Sequence, residues 1–117
     1  MLLNDVPMSK KTGNFKTLFD SIETYTADSC RITLADSGDT IDNGNFKEVN
    51  ANATVLKLYN LGKWIEQEIA KIDPLQINQE MDDIDLMFDN EINKLIESTT
   101  KFMVEMKFKI AIRECFH

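Results

Sequence analysis

The feature that most constrains the fold is a change in the spacing of apolar residues near Thr99 and Thr100. Before this point apolar residues recur every three or four positions, as they do along one face of an α-helix. After it they alternate with polar residues, as in a strand with two different faces: Val104, Met106, Phe108, Ile110 and Ile112. The pattern therefore predicts a helix over residues 77–98 and then a strand over residues 102–115.

Upstream of this region the pattern predicts two more helices. Asn14 is placed to cap a short helix, whose apolar face comprises Phe15, Leu18, Phe19 and Ile22. A second helix, capped by Asn50 or Asn52, should end before Pro74, because the residue before a proline disfavours helical angles. Tyr59 and Trp64 lie beside the main apolar stripe of this helix, where they either border the core or anchor a partner.

Short strands are predicted between these two helices. Residues 30–35 alternate between apolar and polar, and the turn residues Asp36, Ser37, Gly38 and Asp39 follow them. Asp42-Asn43-Gly44 is a second turn signal, because Asn-Gly favours the positive φ angles of a tight hairpin. Residues 40–41 and 46–49 would flank it as strands.

The predicted fold class is α+β, with a short N-terminal helix, β-hairpin strands, a helical hairpin and a C-terminal strand in an antiparallel or mixed sheet. A chain of 117 residues has room for one core. We assign it to residues 14–117 and interpret residues 1–13 as a flexible N-terminal extension, because Met8 is a second candidate start.

Charge and composition narrow the expected partners. The net charge is −7, from 20 acidic and 13 basic residues, which disfavours direct binding of nucleic acid and favours a basic surface on a partner protein. No apolar run approaches the length of about 20 residues that spans a membrane, and no leader precedes the first helix, so the predicted localisation is cytoplasmic. Cys30 and Cys115 are then expected to be reduced thiols.

The candidate partner-binding site is an acidic cluster near the start of the third helix: Glu80, Asp82, Asp83, Asp85, Asp89 and Glu91. Acidic residues also stabilise a helix N-terminus, so a purely solvated helix face is the structural alternative. A calcium loop is disfavoured, because Phe88 and Lys94 stand where such a loop needs glycine and glutamate.

Catalytic templates find little support in the sequence. Glu105 and Lys107 have the spacing of an acid and a lysine in metal-dependent nucleases, but no further ligands can be assigned. His117 is the only histidine and the last residue, which disfavours triads and histidine metal sites. The four glycines are too dispersed for a phosphate-binding loop. We therefore predict no cofactor, no metal and no enzyme activity.

The function predicted from the sequence is a non-enzymatic inhibitor or binding module, whose acidic helix docks a basic surface of a partner that could itself bind nucleic acid. The suggested setting is a phage or mobile-element counter-defence protein that mimics nucleic acid. The alternatives are a self-assembling structural or adaptor protein and the metal-dependent nuclease. A homodimer through the C-terminal strand is one of two expected outcomes for that edge, and protection by Lys107, Lys109 and Arg113 is the other.

Overall fold

The computed structural model describes residues 1–39, 43–72 and 81–116. Within these ranges the chain forms three short strands and five helices. In order they are β1 (Leu2–Leu3), β2 (Val6–Pro7), α1 (Leu18–Tyr25), α2 (Ala27–Asp36), β3 (Asn45–Phe46), α3 (Glu48–Lys71), α4 (Asp83–Val104) and α5 (Phe108–Phe116). This small domain of helices and a mixed sheet agrees with the predicted α+β class.

The sheet is built around the N-terminal strand. Its strand order is β2-β1-β3, with β1 antiparallel to β2 and parallel to β3. Residues 1–13, interpreted from the sequence as an extension, supply two of the three strands, and Leu3 is buried. The segment therefore belongs to the sheet and contributes to the core.

The core lies where the sheet meets α1, α2 and the start of α3. It comprises Leu3, Tyr25, Cys30, Phe46 and Ala51. The rings of Tyr25 and Phe46 are tilted against each other with centroids 5.8 Å apart. Small side chains let α2 approach α3, and the fully buried Ser29 donates from Oγ to the carbonyl oxygen of Ala51 at 2.8 Å.

Two predicted strands are helical, so those predictions are wrong. Residues 30–35 lie in α2, and residues 102–115 form the end of α4, a turn and α5. Alternating apolar residues also contain pairs four positions apart, such as Phe108 and Ile112, which lie on one face of a helix. Short alternating runs are therefore ambiguous, and here packing on neighbouring helices determines the outcome.

Several boundaries also differ from the prediction. Thr17 rather than Asn14 caps α1, in a reciprocal capping box with Asp20. α3 begins at Glu48, before the predicted caps Asn50 and Asn52, so only Phe46 of the predicted strand 46–49 lies in a strand. The end of α3 at Lys71 agrees with the stop expected before Pro74. The predicted strand 40–41 and the start of the third helix at residue 77 lie outside the described residues.

The molecule is elongated, measuring 64 × 31 × 17 Å with a radius of gyration of 18.7 Å. A compact domain of this length has a radius of gyration of about 13 Å. α2 packs against α3 and α5, and α4 packs against α5. Within the described ranges α3 and α4 make no extensive contact, so the predicted helical hairpin is not formed by packing of these two helices.

The turn between α4 and α5 generates a test of backbone strain. Met106 has φ 58°, and its side chain is exposed. The left-handed region costs an ordinary residue about 1–2 kcal/mol, while glycine adopts it freely. We expect Met106→Gly to unfold at the same or a higher urea concentration and the β-branched Met106→Val to lose about 1 kcal/mol. Equal shifts in the two variants would contradict this account of the turn.

Candidate functional site

The described members of the predicted acidic site lie at the start and in the first half of α4 and are solvent-exposed. Asp82 caps the helix, and its carboxylate accepts from the backbone N–H of Asp85 at 2.8 Å. The Asp85 carboxylate in turn accepts from the Asp82 N–H at 3.1 Å. Asp89 accepts from the Asn93 side chain at 3.0 Å.

The other described members of this cluster, Asp83 and Glu91, have no arrangement that points to a ligand. Asp83 lies in the first turn of α4, Glu91 forms a 3.6 Å ion pair with Lys94, and Glu80 is outside the described residues. In the described part of the chain, no group of three or more Asp, Glu, His or Cys side chains can hold a metal ion. Helix capping explains two of these carboxylates, and a partner-binding role for the cluster remains a prediction.

Glu105 and Lys107 are adjacent, but in the turn after α4 rather than on a strand. Lys107 Nζ lies 2.7 Å from a Glu105 carboxylate oxygen. The hydrogen bond from Lys107 lowers the pKa of Glu105 below its ordinary value. The pair is a local ion pair at a helix end, which accounts for both residues without a catalytic metal.

The structure does bring together four polar residues that the sequence analysis did not connect. The Glu48 carboxylate accepts hydrogen bonds from Lys16, from the Tyr25 hydroxyl at 2.9 Å and from the Asn4 side chain at 2.9 Å. Lys16 also donates to the Tyr25 hydroxyl at 2.9 Å. The side-chain oxygen Oδ1 of Asn4 accepts from the Glu48 backbone N–H at 3.0 Å and so caps α3. We call these four residues the Glu48 cluster.

Charge and hydrogen bonding fix the ionisation states in the Glu48 cluster. Hydrogen bonds from Lys16, Asn4 and Tyr25 lower the pKa of Glu48 to about 2. Partial burial lowers the pKa of Lys16, but hydrogen bonds to Glu48 and Tyr25 outweigh it and raise that pKa overall. The two side chains are therefore an ion pair at neutral pH, and neither group is available as a proton donor or acceptor in chemistry.

An apolar cavity of about 200 Å³ opens beside this cluster. It is lined by Met1, Leu3, Met8, Lys16, Leu18, Ser21, Cys30, Leu34 and Phe46. Burial raises the pKa of the Cys30 thiol, whose Sγ lies 3.5 Å from the carbonyl oxygen of Ser21. The thiol is thus protonated and hydrogen-bonded, which argues against a nucleophilic role.

A second feature near the N-terminus is a lysine-bearing loop over residues 9–14. Ser9 and Asn14 form a β-bridge, and the Asn14 side chain donates to the carbonyl oxygens of Val6 and Pro7 at 3.1 Å. Lys10 and Lys11 are exposed at its tip. Two ammonium groups on a hydrogen-bonded loop can bind an anionic group such as a phosphate.

Local sequence patterns could not have revealed the Glu48 cluster. Lys16 and Glu48 are 32 positions apart, and Asn4 and Glu48 are 44 apart. The lysine-bearing loop did carry a local signal, since the Lys10-Lys11 pair precedes Gly13, which has φ 74°. It was missed because the segment was interpreted as an extension.

Comparison with known proteins relates nearly the whole chain to one kind of enzyme. It is 43% identical over 113 residues to the cytoplasmic leucine–tRNA ligase of Saccharomyces cerevisiae. The aligned region covers 97% of this chain and 10% of the yeast protein. It is 40% identical over 117 residues to a putative cytoplasmic leucine–tRNA ligase of Schizosaccharomyces pombe and 34% identical to the Arabidopsis thaliana enzyme. The chain spans about a tenth of the length of these relatives. No family model matches the chain.

These similarities overturn the predicted function. A phage or mobile-element inhibitor, a structural adaptor and a metal-dependent nuclease are all wrong, because the relatives are leucine–tRNA ligases. The predictions of no enzyme and no nucleic-acid partner are wrong for the same reason, and nothing supports a basic protein surface as partner. The inference against a nucleic-acid partner rested on the net charge, which is a sum over 117 residues and does not describe individual surfaces.

The remaining predictions concern the localisation of the protein and its self-association. The relatives are named as cytoplasmic proteins, in agreement with the predicted cytoplasmic localisation. None of the described helices is long and apolar enough to cross a membrane. The argument for a homodimer no longer holds, because the segment predicted to form the edge strand of the sheet is helical.

The Glu48 cluster predicts a specific acid dependence of stability. Because the pKa of Glu48 falls from 4.5 to about 2 on folding, its ionised form favours the folded state. That contribution is complete above about pH 4.5 and is lost as the pH falls towards 2. Since the carboxylate is 35% exposed, we expect Glu48→Gln to lower the free energy of unfolding at pH 7 by about 1 kcal/mol.

The measurement is urea unfolding of the native chain and of Glu48→Gln at pH 7 and at pH 3. The difference between them should shrink at pH 3. Glu66→Gln is a matched control, because it removes one partner of the exposed Lys63–Glu66 ion pair and should have little effect at either pH. A difference for Glu48→Gln that is the same at both pH values would contradict the assigned pKa.

The two cysteines should differ in reactivity. Cys30 is buried with a raised pKa, whereas Cys115 is exposed on α5. Because the thiolate is the reactive form, a thiol reagent should modify one cysteine quickly and the other only on unfolding. Cys115→Ser should remove the fast phase, which mass spectrometry of the labelled chain would detect. A fast phase that persists in this variant would show that Cys30 is accessible.

Proposed function

We propose that this chain is a segment of a leucine–tRNA ligase and that it acts within that enzyme, which joins leucine to tRNA. The observation that carries this proposal is the 43% identity to the yeast ligase, which extends over 97% of the chain but only 10% of the relative. The aligned region covers both the core and the exposed helices of the chain, as expected for a segment that folds within the larger enzyme.

The exposed apolar surface of the chain supports this proposal. Along the second half of α3, one face carries Leu61, Ile65 and Ile69, and Ile72 follows at the C-cap; the four side chains are 40–63% exposed. We call these residues the α3 apolar stripe. On α4, Ile84, Met87 and Phe88 are 68–74% exposed, and the helix has no fully buried residue. Contiguous apolar faces of this kind are typical of surfaces covered by other protein.

The chain would therefore contribute position and contacts rather than a complete catalytic centre. One end of the molecule contains the core, the sheet, the Glu48 cluster and the lysine-bearing loop. Its long helices extend away from that end and offer the α3 apolar stripe to the remainder of the ligase. The loop with Lys10 and Lys11 supplies positive charge that a phosphate of a substrate can engage.

A chimeric enzyme tests the proposal. We expect the yeast leucine–tRNA ligase to join leucine to tRNA when this 117-residue chain replaces its 43% identical segment, because the two would share a fold and docking surfaces. The measurement is attachment of labelled leucine to yeast leucine tRNA. The control is the yeast enzyme with the segment deleted, which should be inactive. A chimera that folds but attaches no leucine would overturn the proposal.

Docking through the α3 apolar stripe is tested by Ile65→Asp with Ile69→Asp in the chimera. Both side chains are exposed in the isolated chain, so its urea unfolding should change little, while leucine attachment by the chimera should fall at least tenfold. Val49→Asp is the matched control, because Val49 is 77% exposed in the first turn of the same helix. Equal activity in the stripe variant and the control would show that the stripe is not a docking surface.

A further inference from the structure

A different face of the second half of α3 carries lysines and aromatic rings. At 3.6 residues per turn, Lys63, Gln67, Asn60 and Lys71 fall between Tyr59 and Trp64 around the helix, on the side away from the α3 apolar stripe. Tyr59 and Trp64 are 62% and 57% exposed. No carboxylate lies between the two rings, because Glu66 and Glu68 flank the face on either side. We call these six residues the lysine–aromatic face.

We propose that the lysine–aromatic face is a contact surface for tRNA. This inference rests on the proposed function and deepens it by assigning tRNA contact to one surface of the segment. The chemistry is complementary on two counts, since ammonium groups bind phosphates and exposed rings stack on unpaired bases of RNA. Stacking of this kind tolerates any base, because every base has a π-face.

The charge on this face contrasts with the rest of the chain. The whole chain has a net charge of −7, yet none of the six residues of the face is acidic, and the carboxylate partners of the two lysines lie at its borders. Lys63 pairs with Glu66 at 2.9 Å and Lys71 with Glu68 at 2.8 Å, and all four side chains are at least 43% exposed. Exposed pairs of this type contribute little energy. The phosphates of a docked tRNA can therefore replace the glutamates as partners of the lysines.

The placement of the rings favours RNA over a protein partner for this face. Aromatic anchors at protein interfaces sit in desolvated apolar surroundings. Tyr59 and Trp64 are instead separated by lysine and amide side chains, and Lys63 Nζ lies 6.0 Å from the Tyr59 ring centroid. The apolar surroundings suited to protein docking lie on the α3 apolar stripe. The two faces thus divide protein contact from RNA contact.

The lysines are tested in the chimeric yeast ligase described above, with yeast leucine tRNA as the probe. Lys63→Gln combined with Lys71→Gln should raise the KM for tRNA roughly three- to tenfold and leave the KM for leucine unchanged. The slope of log KM against log salt concentration should fall by about one for each lysine removed. Lys94→Gln with Lys101→Gln on α4 makes the same change in net charge and is the matched control.

The aromatic contribution is tested by comparing Trp64→Ala with Trp64→Phe. If the ring stacks on a base, Trp64→Ala should raise the KM for tRNA about tenfold, and Trp64→Phe should restore much of the loss because it retains a π-face. Circular dichroism of each variant checks that the helix is intact, as expected for an exposed side chain.

Each outcome decides between the proposals. A chimera that attaches leucine, with a KM for tRNA that the lysine pair raises no more than the α4 control does, would overturn the tRNA contact and leave the proposed function standing. A lower kcat with an unchanged KM for tRNA would assign the face to protein docking. An unsubstituted chimera that folds but attaches no leucine would overturn both proposals.

Discussion

The hydrogen bonds to the Glu48 carboxylate hold together the end of the molecule that contains the sheet and the core. The carboxylate accepts from Lys16 before α1, from Tyr25 at the end of α1 and from Asn4 after β1, and it stands at the first position of α3. The Asn4 side-chain oxygen also accepts from the Glu48 backbone N–H at the start of the same helix. Three segments distant in sequence therefore meet at one charge, and the direction in which α3 leaves the core follows from that junction.

The long helix α3 carries both of the surfaces that we propose as contact sites. Only Ala51 and Thr54 of α3 are buried, both within its first two turns, so its second half extends beyond the core. A helix that protrudes in this way is exposed all around and can meet different partners on different sides. The α3 apolar stripe suits contact with the rest of a protein, while the lysine–aromatic face suits a polyanion.

Sequence periodicity revealed the parts of the fold that depend on long helices. The existence of the helix α3 and its stop before Pro74 were readable, because a helix of 24 residues repeats its pattern many times. The alternating runs at residues 30–35 and 102–115 were too short to separate a strand from a helix. The Glu48 cluster was invisible, since its members are joined only by the folded backbone, and no local spacing relates Asn4 to Glu48.

The charge of the chain illustrates why function was the hardest level to predict. A net charge of −7 argues against binding a polyanion only if the charges are evenly mixed. Here Asp82 and Asp85 are occupied in capping α4, and other acids lie in exposed ion pairs. Two of those pairs hold Lys63 and Lys71, whose ammonium groups share one helix face with two aromatic rings. A bound polyanion meets mainly the charge within about one Debye length of the contact, roughly 8–10 Å, so the local arrangement of these ion pairs bears on the proposed tRNA contact more than the total charge does.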